Sequence, residues 1–121
     1  MYNNDFGKYI RFLRIDRNLS LSQLAERLSI TPYYISYLEN GKKRNPSTKI
    51  MAKIFKTLEM DKCEIEHFLD LHAKANGCVS YDVADFIMSN RNILEAIRAA
   101  RDKPEAAPNW NDFMEKINKK I

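Results

Sequence analysis

The chain has 121 residues, 45% of them apolar, with three glycines, four prolines and a formal net charge of +4. Scarce breakers beside abundant Leu, Ile, Lys and Glu point to an all-α protein of one domain, or of a small domain with an appendage, and no apolar run reaches the roughly 18 residues of a membrane span. The charge is uneven: through residue 60 eleven Lys/Arg stand against five Asp/Glu, and beyond it nine stand against eleven, so an anionic partner such as nucleic acid is to be sought in the first half.

The opening MYNNDFGKYIRFLR has neither the basic start nor the apolar stretch of a signal peptide, and a cytoplasmic protein is expected. Phe6, Ile10, Leu13 and Arg17 recur at helical spacing and predict a first helix over roughly residues 5–17, ended by Asn18 and Leu19. Ser20 followed three places later by Gln23 is a capping-box pattern that opens a second helix, with Leu21, Leu24, Ala25 and Leu28 inward. Ser29 and Ile30 make a turn. Thr31 caps a third helix with Pro32 in its first position, where a missing amide hydrogen is harmless, and Gly41 supplies the left-handed residue past Asn40.

Lys42, Lys43, Arg44 and Asn45 form a basic loop before Pro46. Ser47 or Thr48 caps a fourth helix carrying Ile50, Met51, Ile54, Phe55 and Leu58 inward. Asp61 and Glu64 cap a fifth, with Ile65, Phe68, Leu69 and Ala73 as its apolar stripe up to Gly77. These five helices make one unit, residues 1–77. Residues 78–121 read as a helical extension: Ser80 caps a short helix, Asn90 another, and after the linker DKPEAAP Asn109 caps a last helix with Trp110, Phe113, Met114, Ile117 and Ile121 at 3-4-3-4 spacing.

Little in the chain reads as catalysis or metal binding. No nucleophile–base pair, carboxylate dyad or glycine-rich phosphate cradle is legible, so an enzyme is not expected, nor is a cofactor. Cys63 and His67 are four apart on one helical face, but no further residue completes a ligand set, and no metal is expected. Cys63 and Cys78 are read as reduced thiols.

A capped helix, a short turn and a second helix starting in Pro form the order of a helix-turn-helix reader of DNA. The segment SLSQLAERLSITPYYISYLENGKKRNPS resembles the lambda-type phage repressors and their bacterial relatives, the XRE or Cro/C1 family, over residues 6–60. The resemblance implies a five-helix lambda-repressor-like fold with the third helix in the major groove. It places Pro32, Tyr33, Ser36 and Tyr37 toward base edges, where a Tyr hydroxyl can donate to an acceptor and a ring can lie on a thymine methyl; packing of one or both rings on sugar–phosphate or on neighbouring side chains is the alternative. Tyr34 is read as a packing residue that also meets a phosphate. Phosphate contacts are expected from the backbone amides near Asn40 and Gly41, from Lys42, Lys43 and Arg44, and from Ser20, Ser22 and Gln23 at the second helix. The resemblance also pairs Glu39 with Arg14 as a strut behind the reading helix. Two residues depart from the family pattern: Leu21 stands where Gln is usual at a phosphate, and Ser29 where the turn usually has Gly.

Beyond residue 77, VSYDVADFIMSNRNILEAIRAARD and the following Trp-bearing helix resemble the tails of small phage- and mobile-element-encoded regulators. Trp110, Phe113, Met114 and Ile117 then fold back on helices of the same chain, pack across a two-fold axis, or bind another protein. The function these readings imply is a homodimeric repressor binding a double-stranded inverted repeat near its own promoter. An antitoxin or anti-CRISPR-type protein holding a protein partner through the C-terminal segment is the alternative.

Overall fold

The computed structural model describes residues 4–119, and among them every regular element is helical. The order is α1 Asp5–Asp16, α2 Leu21–Leu28, α3 Pro32–Asn40, α4 Thr48–Thr57, α5 Lys62–Asn76, α6 Tyr81–Met88, α7 Arg91–Asp102, a 3-10 turn Pro104–Ala106, and α8 Trp110–Lys119. No helix among the described residues is long and apolar enough to cross a membrane. The chain divides into two compact units after Asp82, later than the boundary at Gly77 that the sequence led us to expect. The chain remains with the first unit past Gly77 because Ser80 is buried and Tyr81 lines a cleft with Tyr34 and His72.

The first unit is built around one apolar core. Phe6, Ile10 and Leu13 of α1 meet Leu24, Ala25 and Leu28 of α2, Ile35 and Leu38 of α3, Met51 and Ile54 of α4 and Phe68 and Leu69 of α5, each nearly or fully buried. Phe68 is the hub of its aromatic part, edge-on to Phe6 at 4.9 Å and to Phe55 at 5.0 Å, geometry that suits the ring quadrupoles. Leu21, Ile50, Phe55 and Ile65 lie at the margin, half-buried rather than inward.

Helix starts follow the expected side-chain chemistry. Ser20 and Gln23 form a full capping box, as do Asp61 and Glu64, and Thr31 Oγ1 accepts from the Tyr34 amide. Ser47, not Thr48, caps α4, with its hydroxyl accepting from the Ile50 amide. Asn109 Oδ1 accepts from the amides of Asn111 and Asp112 at the start of α8. Asn90 is different: its side chain makes no cap to α7, because its amide turns back and donates to the Phe86 carbonyl.

Helix ends are less orthodox. Asn18, Ser29 and Glu59 adopt left-handed backbone at φ 57°, 56° and 48°, although an L side chain there costs about 1–2 kcal/mol. In each case the next residue is apolar and its amide reaches back: Leu19 to Arg14 O, Ile30 to Ala25 O and Met60 to Phe55 O, at 3.0–3.1 Å. Leu19 and Met60 are buried and Ile30 packs against the core, so apolar burial holds turns that glycine would otherwise favour. The turn at Ser29 is thus left-handed without Gly.

Two long-range ties complete the unit. Arg17, which helical spacing put on the apolar stripe, instead forks onto Glu64 with Nη2 at 2.9 Å from both carboxylate oxygens, and its Nε donates to the Leu58 carbonyl at 3.0 Å. Glu64 thereby serves α1 and its own helix cap at once. His72 is buried, edge-on to Phe6, with Nε2 at 3.1 Å from Asn45 Oδ1.

The second unit, from Val83 onward, has no buried residue among those described. Its α7 packs on the Pro104–Ala106 turn, and Trp110 shares a shallow cleft with Ile97, Ala100, Pro104 and Pro108. Phe86, Met88, Trp110, Phe113 and Met114 are each more than half exposed.

Two outcomes test this packing. A Cβ on Gly7 would fall within 2.5 Å of the carbonyl oxygens of Leu38 and Glu39, so Gly7→Ala is expected to destabilise the first unit by about 1–3 kcal/mol; an unchanged urea midpoint would refute the close contact. Burial holds the His72 imidazole below its ordinary value of 6.5. The unfolded chain therefore takes up this proton first, and stability falls as pH drops through 6.5, levelling below the folded pKa. In urea titrations across that window, His72→Gln is expected to flatten the fall relative to the parent; parallel curves would show that His72 does not drive it.

Candidate nucleic-acid interface

The candidate reading surface is the outer face of α3. Ile35 and Leu38 point into the core, so residues 33, 36, 37 and 40 share the opposite side of the helix. Tyr33 is 75% exposed and Tyr37 44%, while Ser36 is half-buried and Asn40 open. Pro32 and Thr31 are exposed at the N-terminal end. Tyr34 is half-buried at the helix margin, and burial raises its hydroxyl pKa, so it remains a neutral donor.

The basic loop begins where α3 ends. Gly41 takes φ 84°, the left-handed turn that carries Lys42, Lys43 and Arg44 outward, all three exposed. Lys42 Nζ stands 5.5 Å from the Tyr37 ring centroid and Lys43 Nζ 5.0 Å from that of Tyr34. Each cation is thus tethered over an aromatic ring, which orders two charges beside the tyrosines.

Backbone amides of this loop were expected to face a phosphate, yet they are already engaged. The Gly41 amide donates to Leu38 O, the Lys42 amide to Asn40 Oδ1 and the Lys43 amide to Tyr37 O. What this loop presents outward is therefore the side chains of Lys42, Lys43 and Arg44. At the start of α2, Ser20 Oγ accepts from the Gln23 amide and Gln23 Oε1 from the Ser20 amide. The Ser20 hydroxyl proton and the Gln23 amino group remain available as donors, and Ser22 is exposed beside them.

The orientation of α3 is set from behind. Arg14 Nε lies 2.7 Å from Glu39 Oε2 and Nη2 3.0 Å from Oε1, and Nη1 donates to the Leu19 carbonyl at 2.9 Å. Both side chains are about nine-tenths buried, and the bond to Glu39 pushes the guanidinium pKa further up. Asn4 Nδ2 donates to the Glu39 carbonyl at 2.9 Å. The same helix end is thus gripped by side chain and by backbone.

Elsewhere, His67 is edge-on to Tyr9 at 4.7 Å, and Cys63 and Cys78 are free, exposed thiols. Sequence reasoning missed the roles of Asn4 and Gly7 in the α1–α3 contact and of Asn45 and Asn76, which tie the basic loop to α5 through His72 Nε2 and the Arg44 carbonyl. A Gly within an otherwise regular helix was the one available signal.

Residues 7–65 match the family described as a helix-turn-helix domain. Over 59 residues the chain is 34% identical to the HTH-type transcriptional regulator SlrR of Bacillus subtilis (strain 168), covering 49% of this chain and 39% of that protein; the chain thus spans well under half the length of this relative. Among solved structures, the clp gene regulator ClgR from Corynebacterium glutamicum aligns with a TM-score of 0.48 and 25% identity over 68% of this chain and 85% of that one. A SinR protein/SinI protein complex aligns with a TM-score of 0.48 and 24% identity over 81% and 99%. Residues 7–65, just under half of the chain, are thus similar to the helix-turn-helix domains of transcriptional regulators.

Proposed function

We propose that the protein is a sequence-specific DNA-binding transcriptional regulator, in which α3 enters the major groove of a double-stranded operator. The observation that carries this is the outer face of α3, where Tyr33 and Tyr37 stand exposed and Lys42 and Lys43 lie over neighbouring rings. Pro32, Tyr33, Ser36 and Tyr37 read base edges or thymine methyls. Lys42, Lys43 and Arg44 neutralise phosphates, with Tyr34 and Asn40 beside them and Ser20, Ser22 and Gln23 donating from the start of α2. No catalytic step is involved, and the setting is the cytoplasm, where an operator is found. Binding over a promoter excludes polymerase, so the regulator acts as a repressor, near its own gene.

A single helix touches few base pairs. Two copies related by a two-fold axis would read an inverted repeat with half-sites about 34 Å apart. The second unit supplies a surface for such pairing: Trp110, Phe113, Met114 and Ile117 lie along one side of α8, all exposed, as on a helix whose apolar stripe awaits a neighbour. A different protein seated on that stripe is the second reading, supported by the same exposure.

Two experiments test these assignments. With duplexes selected from a random pool, Tyr37→Ala is expected to reduce discrimination by about 1 kcal/mol or more, while Lys43→Ala weakens selected and random duplexes alike and lowers the salt slope by about 0.9. Equal effects of the two substitutions on both duplexes would remove the readout role of Tyr37. In sedimentation equilibrium, the parent is expected as a dimer and Phe113→Glu combined with Ile117→Glu as a monomer; a monomeric parent at micromolar concentration would favour the protein-partner reading.

A further inference from the structure

Resting on the DNA-binding reading, we propose that the notch between α1 and α3 is a second phosphodiester site, in which Lys8 and Arg11 hold the backbone strand on the α1 side of the reading helix. A helix in the major groove is bordered by both strands. The loop 42–44 supplies cations beyond the C-terminal end of α3, and something must serve the strand along its flank. The start of α2 is poorly equipped for this. Leu21 presents an apolar side chain there, and Ser20, Ser22 and Gln23 offer neutral donors but no cation.

Leu21 instead lines a notch that it shares with Lys8 and Arg11 of α1 and with Ser36 and Asn40 of the reading helix. Its floor is the Arg14–Glu39 pair. That pair is electrically closed, since both carboxylate oxygens of Glu39 are bonded to Arg14, so the one acid among the described lining residues is already neutralised and the charges of Lys8 and Arg11 are in excess. Both are exposed. They also border the open Phe12–Ile15 surface on their other side, where their aliphatic stems can lie while the charged heads face the notch. A phosphate there would meet two cations, with the Asn40 side-chain amide as a donor from α3. The strand would then be fixed by α1 and α3 together, and the register of α3 in the groove with it.

The test is the salt dependence of binding to a random-sequence duplex. Lys8→Gln combined with Arg11→Gln is expected to lower the slope of log affinity against log salt by about 0.9, one phosphate contact, with no change in which sequences are preferred. Lys8→Arg combined with Arg11→Lys is expected to keep the slope, which a loss of folding would not allow. Lys62→Gln, outside the notch, controls for net charge. If Lys42→Gln combined with Lys43→Gln lowers the slope while the α1 pair leaves it unchanged, or matches no more than the Lys62 control, the notch site is overturned and the DNA-binding reading stands. If the parent protein binds no duplex even in dilute salt, both are overturned.

Discussion

The joint between α1 and α3 is the constraint on which the rest depends. Gly7 lets the Leu38 and Glu39 carbonyls approach to a distance that any side chain would forbid. Asn4 takes the Glu39 carbonyl, and Arg14 takes the Glu39 carboxylate from the other side. A buried ion pair adds little net stability against its desolvation, but breaking one half leaves an uncompensated charge. The pair therefore acts less as glue than as a gauge: alternative placements of α3 would separate Arg14 from Glu39, and each would carry that penalty. Tyr33 and Tyr37 face outward because the opposite edge of their helix is held in this way.

The remaining helices support the joint through their ends. Arg17 fastens the end of α1 to the start of α5 and to the Leu58 carbonyl, and the Glu64 carboxylate it grips also closes the α5 capping box. Loss of Glu64 would thus loosen a helix start and an interhelical tie together. At the far side, His72 and Asn76 hold the Arg44–Asn45 segment, so the basic loop is anchored on α5 as well as on α3. The C-terminal end of α3 and the loop beyond it are thus both held by residues of other elements.

Helix positions and starts were legible because periodicity and capping are local: Ser20–Gln23, Asp61–Glu64 and Thr31–Pro32 each declare a helix within four residues. Ends were harder. Asn18 and Glu59 carry no glycine signal, and their left-handed turns depend on burying Leu19 and Met60, which is a tertiary event. Arg17 was misplaced for a similar reason, since spacing identifies an inward position but not whether a carboxylate waits there. Of the candidate site, the exposed tyrosines and the basic loop were legible, while the commitment of the loop amides depended on the side-chain amide of Asn40 and the close of the α3 turn. Lys8 and Arg11 were counted only as charge, because nothing local to α1 reveals that Ser36 and Asn40 face them.

The two units differ in what they leave unsatisfied. The first encloses a large apolar core and, beside exposed Phe12, Ile15, Tyr33 and Tyr37, presents excess cations. The second buries none of its described residues, and from Val83 onward seven Lys/Arg stand against six Asp/Glu. A segment so nearly neutral has no Coulombic reason to approach a polyanion. Its available free energy lies in apolar surface, at roughly 25 cal/mol per Å² removed from water, and only contact with another apolar surface can realise it. High salt should therefore weaken contacts made by the first unit's exposed cations far more than contacts made by the second unit's apolar surface.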